Sequence, residues 1–118
     1  MTESPLMKKS KEFALDVIKV CKKLRLAKCE SALINQFLRS GTSIGANANE
    51  AVYGVSKADF IAKLQISLKE TAETEYWLRL LVLSEYISEK EGESLLNDCL
   101  EIKRILVATL NTAKQNNK

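Results

Sequence analysis

The sequence has no histidine, one proline, four glycines and one tryptophan, and aromatic residues make up only 6% of it. Without histidine, the usual proton-transfer side chain near neutral pH is missing, as is the commonest metal ligand. No serine or cysteine has an evident base beside it, and no Glu-x-x-His pattern marks a di-iron bundle. Glu70 and Glu73 could be read as paired carboxylates, but glutamates on a helix surface are commonplace. No catalytic residue, metal ligand or cofactor is therefore expected. Cys21, Cys29 and Cys99 are odd in number and contain no CxxC. They read as small apolar or surface residues of a reducing compartment. No stretch approaches the roughly 20 apolar residues that span a bilayer. The N-terminal MTESPLMKKSKE has no apolar signal core, so the expected location is the cytoplasm, with no membrane contact.

Strand signals are absent too: no segment alternates with period two, and no turn dipeptide marks a hairpin. What remains is a chain of 118 residues, 46% hydrophobic, which reads as one helical domain over residues 1–118. Ser4-Pro5 supplies an N-cap and a first-turn proline for a helix reaching about Leu26. Ala14, Val17, Cys21 and Leu24 mark its buried stripe, with Phe13 and Val20 beside them. A second helix spans about 31–53, and Gly54 is expected to end it as a left-handed C-cap. Ser56 followed by Asp59 opens a third helix over 57–85. Ser88-x-x-Glu91 opens a fourth over 89–114, carrying Leu95, Cys99, Ile102, Leu106 and Ala113 on one face. Four such helices with short loops must run antiparallel to their neighbours, giving an all-α, up-down-up-down four-helix bundle.

The second helix contains the unusual chemistry. Each glycine in a helix interior costs about 1 kcal/mol relative to alanine, yet this helix carries Gly41 and Gly45. At about 100° per residue, both join Phe37, Leu38, Ile44, Ala48 and Val52 on the apolar side. The expected compensation is close approach of a neighbour, with large side chains from the third helix filling the strip. A phosphate-cradling loop is the rival reading, but GTSIG lacks the spacing and lysine of a P-loop and follows no strand. The other side carries Arg39, Ser43, Asn47 and Glu50, with Gln36. Their spacing would let Arg39 touch Ser43, and Asn47 touch Glu50. This stripe reads either as a solvated face or as a hydrogen-bonded seam at a helix or subunit interface. The third helix shows two apolar directions, Phe60/Leu64/Leu78/Val82 and Ala62/Ile66/Trp77/Leu80. The second is either wrapped by bundle neighbours or turned to another subunit.

Two segments carry a resemblance. RSGTSIGANANEA (Arg39–Ala51) and KETAETEYWLRLL (Lys69–Leu81) are similar to the two signature blocks of a bacterial four-helix-bundle family encoded in intervening sequences of 23S ribosomal RNA genes. The resemblance implies an up-down bundle that assembles as a ring-like homopentamer, and it implies no catalytic activity. It also brings in a relative, the accessory protein of diversity-generating retroelements, which is a basic pentamer that binds nucleic acid and a reverse transcriptase. In this light Arg39, Ser43, Asn47, Glu50, Glu70, Glu73, Thr74 and Trp77 read as architectural.

Charge is unevenly spread. The net charge is +3, but residues 1–30 hold eight Lys/Arg against four Asp/Glu, while the remainder is slightly acidic. Lys8, Lys11, Lys19, Lys22 and Lys23 fall within about 120° of arc on the first helix, away from its apolar stripe. Repeated around an oligomer, this stripe is expected to contact the phosphates of structured RNA or DNA, with Arg25 and Lys28 as secondary contributors. The alternative is a scaffold that binds protein and has no nucleic-acid role, for example an accessory subunit of a reverse transcriptase.

Overall fold

A computed structural model describes residues 3–115. Four helices follow in order: α1 (Pro5–Leu26), α2 (Ser31–Val52), α3 (Lys57–Leu83) and α4 (Glu89–Gln115). They form an all-α, antiparallel bundle of about 50 × 26 × 21 Å. Each helix packs on its sequence neighbour, and α4 closes back on α1. The capping residues act as their types demand. Ser4 Oγ accepts from the Met7 N–H, Ser56 Oγ from the Asp59 N–H, and Ser88 Oγ from the Glu91 N–H. Each thereby satisfies a donor that the first helical turn leaves open. The Asp59 carboxylate reaches back to the Val55 N–H, one residue beyond the N-cap N–H that a full capping box would use.

The helix ends differ from expectation. Gly54 is not left-handed; the positive φ angles belong to Lys28 (59°) and Glu85 (67°). Both occupy Schellman turns: Cys29 N–H bonds to Leu24 O after α1, and Tyr86 N–H to Leu81 O after α3. The turn at Glu85 stops α3 at Leu83, two residues earlier than its sequence pattern suggests. Gly54 instead occupies a tight space. A Cβ there would lie 3.0 Å from Asp59 Oδ2 and 3.1 Å from Ala51 O, inside the cap that starts α3.

Phe13, Val17, Cys21, Phe37, Ile44, Leu64, Leu78, Leu81, Cys99, Ile102 and Leu106 fill the core. Along the third helix's second apolar direction, Trp77 packs against the core, Leu80 is half-buried, and Ala62 and Ile66 face out. Val52, expected on the apolar face of α2, is 63% exposed. Gly41 faces Val17 and Gly45 faces Ser10, and in that antiparallel register Val52 lies beyond the start of α1.

Candidate functional site

The glycine strip of α2 receives α1, not α3. A Cβ on Gly41 would stand 2.9 and 3.0 Å from the two methyls of Val17, and one on Gly45 would stand 3.1 Å from Ser10 Oγ. The wheel gave the face correctly but the neighbour wrongly. On its other flank α2 meets α3 beside buried hydroxyls, of which only Thr74 is marked by the signature blocks and Ser67 and Thr71 are not. Ser67 Oγ donates to Ile44 O across the helices at 2.7 Å, and Thr71 and Thr74 donate to carbonyls one turn back in their own helix. Ser10, Ser40, Ser67, Thr71 and Thr74 are all fully buried. The run Ser67, Thr71, Thr74, Leu78, spaced by three and four, was the available signal. Gly92 serves packing in the same way: a Cβ there would collide with Val82, so this glycine lets α4 approach α3.

The Arg39/Ser43/Asn47/Glu50 stripe lines the α2–α3 seam; Ser43 meets Arg39 at the expected spacing, through its backbone carbonyl, while Asn47 turns back to Ser43 and not to Glu50. Ser43 Oγ donates to Arg39 O at 2.6 Å, and Asn47 Nδ2 to Ser43 O at 2.9 Å. The charged members cross to α3 instead. Arg39 pairs with Glu70 (3.1 Å) and with Glu73, and also donates to Gln36 Oε1. Glu50 pairs with Lys63 at 3.3 Å. Short polar side chains thus spend their hydrogen bonds on their own helix, while the long ones clasp the next. Trp77 stacks edge-on with Tyr76 at 5.1 Å, and its indole N–H is buried without an acceptor among the described residues.

The lysines of α1 divide into two groups. Lys11 pairs with Glu3 at 2.5 Å, and Lys23 with Glu91 of α4 at 2.7 Å. Among the described residues Lys8, Lys19, Lys22, Arg25 and Lys28 form no ion pair, and all five are exposed. Leu15 (53% exposed) and Leu26 (85%) stand among them on the outer face, with Ile18 partly covered. An open groove of about 470 Å³ separates α1 from α4, with Lys19 and Lys23 on one wall and Lys90 and Glu91 on the other.

The cysteines are buried and free. Burial, with Glu75 and Asp98 adding to it, pushes the Cys99 thiol up to about 12; burial also raises Cys21 and Cys29. Such thiols are poor nucleophiles and poor metal ligands. No group of three or more Cys, Asp or Glu side chains could hold a metal ion among the described residues. No helix there is long and apolar enough to cross a membrane.

A family model described as 23S rRNA-intervening sequence protein matches residues 2–108. The chain belongs to that family. This intervening-sequence protein is also similar to a crystal structure from Bacteroides thetaiotaomicron, described as a protein with unknown function from the S23 ribosomal protein family. The two share 48% identity with a TM-score of 0.87, over 89% of this chain and 97% of that one. Among curated proteins none is significantly similar. Membership gives the two sequence blocks a spatial meaning. Arg39 comes from the first and Glu70 and Glu73 from the second, and the intervening-sequence fold brings them into one ion-pair cluster on the α2–α3 seam. Neither the family nor the similar structure carries a catalytic assignment.

Proposed function

We propose that this protein is a non-enzymatic, self-associating helical bundle of the cytoplasm whose α1 face binds structured RNA or DNA. The observation that carries the reading is the set of exposed cations, Lys8, Lys19 and Lys22, without ion pairs among the described residues, flanked by Arg25 and Lys28. Such groups contact phosphates without reading bases, and their number sets the salt dependence of binding. Lys11 and Lys23 contribute less, because each must first leave a carboxylate. Self-association is supported by large apolar side chains left exposed on several helices, among them Leu15, Leu26, Tyr76 and Leu83. The family resemblance makes a pentamer, about five times 13.2 kDa, the expected assembly.

A protein-binding scaffold is the second reading, favoured by one observation. Leu15 and Leu26 are interleaved with the lysines, a mixture that suits an acidic amphipathic partner as well as a phosphate backbone. Affinity for a structured RNA and for duplex DNA, measured against salt concentration, separates the readings. For the parent a steep negative slope is expected, and Lys8/Lys19/Lys22→Gln should flatten it by about one for each lysine engaged. Absence of binding at low salt, or a slope indifferent to the substitutions, would leave the scaffold reading standing.

A further inference from the structure

The four seams of the bundle are unequal. Hydroxyls and ion pairs join α2 to α3, glycines let α1 approach α2, and Gly92 lets α4 approach α3. The α1–α4 seam is the sparsest of the four. Among the described residues two ion pairs cross it, Lys9–Glu101 at 2.8 Å and Lys23–Glu91 at 2.7 Å. Between them, Glu12 and Asp16 of α1 face Asp98 and Glu101 of α4 around a hollow of about 190 Å³, whose one cation among the described residues is Lys9. Lys19, Lys23 and Lys90 stand in the adjoining groove. The other neighbour of α4 brings no relief, since Glu75 of α3 is paired with Lys103 at 3.7 Å and neither lines the hollow.

We propose that the α1–α4 seam is a charge-sensitive latch, loosened when Asp98 is ionised beside Glu12, Asp16 and Glu101 and tightened when Asp98 is neutralised. Like charges across a partly desolvated gap repel, and removing one lowers the energy of the closed form more than that of the open form. The direction at Asp98 agrees: burial, then Asp16 and Glu101, raises its pKa despite Lys9. The folded chain therefore takes up the proton more readily than the unfolded one. The stability Asp98 confers is greatest when it is protonated and falls as pH rises from the ordinary carboxylate value of about 4 through the raised one.

Amide hydrogen exchange on the full chain tests it, comparing protection helix by helix at about pH 7.5 and about pH 4, where a carboxyl raised above its ordinary value is mostly protonated, after correction for the intrinsic rate. In the parent, protection of α4 and of the seam face of α1 should rise severalfold relative to α2 and α3 as pH falls. Asp98→Asn should give the tight pattern already at pH 7.5 and lose most of the pH response, with an unfolding midpoint raised by roughly 4 °C. Lys9→Met removes the compensating cation and should shift the same readouts the opposite way. Equal protection of α2 and α4 at both pH values overturns the proposal. So does a pH response that Asp98→Asn leaves unchanged.

Discussion

Replacing Gly41 with alanine sets two effects of known size against each other. Alanine gains about 1 kcal/mol of intrinsic helix stability over glycine. Its Cβ, however, would sit 2.9, 3.0 and 3.3 Å from Cγ2, Cγ1 and Cβ of Val17, where carbon atoms prefer about 3.5–4.0 Å. Val17 is completely buried and β-branched, so it holds one dominant rotamer in a helix and cannot swing aside. Overpacking of this kind costs about 1–3 kcal/mol, and the net expectation is a loss of about 1 kcal/mol. At Gly45 the nearest atom is Ser10 Oγ at 3.1 Å, with Ser10 Cβ at 3.4 Å. Gly45→Ala should therefore be within about 0.5 kcal/mol of neutral, while Gly45→Leu should lose a few kcal/mol. Urea unfolding followed by far-ultraviolet circular dichroism, at one fixed protein concentration, measures all three. A double-mutant cycle with Val17→Ala isolates the contact: the paired variant should lose at least about 1 kcal/mol less than the sum of its singles. If Gly41→Ala gains the full propensity difference, the helices have room to part. The close-approach argument then fails.

Two other outcomes are expected. Lys28→Gly and Glu85→Gly should each stabilise the bundle by about 0.5–1 kcal/mol in the same urea assay, because both positions are left-handed and a side chain there costs more than the entropy glycine adds to the unfolded chain. A thiol reagent at mildly alkaline pH should modify none of the three cysteines in the folded protein and all three after denaturation, since each is buried with its thiol pushed up; rapid labelling of Cys99 without unfolding would contradict the packing of α4.

The helices were legible because their boundaries are written in local chemistry. Ser4-Pro5, Ser56 and Ser88 mark starts through bonds that span three residues, a range a sequence displays directly. Periodicity likewise gave the buried face of α4, from Leu95 to Ala113. The stops were harder: Lys28 and Glu85 hold the left-handed position that usually goes to glycine, and nothing in their identity announces it. A helical wheel fixes direction but not neighbour, which is why the partner of Gly41 was misassigned. The candidate site suffered from the same blindness. Lys23 and Lys19 look alike on α1, and only the tertiary fold brings Glu91, distant in sequence, onto one and not the other.

The contacts of α2 also determine how the protein tolerates random change. At Leu106 or Ile102 most substitutions shrink the side chain and leave a hole, and neighbours can partly collapse into it. At Ser10, Gly41, Gly45 and Ser67 almost every substitution enlarges the residue, and the atom in its way belongs to another helix or its side chain. Damage there is one-sided, because Val17 and Ser10 are buried and cannot swing aside, and the Ile44 carbonyl cannot retreat without carrying its whole helix with it. Such positions contribute little apolar area, so a tally of buried hydrophobic surface would rank them among the least important in the chain. A saturation library selected for folding should rank them among the least permissive.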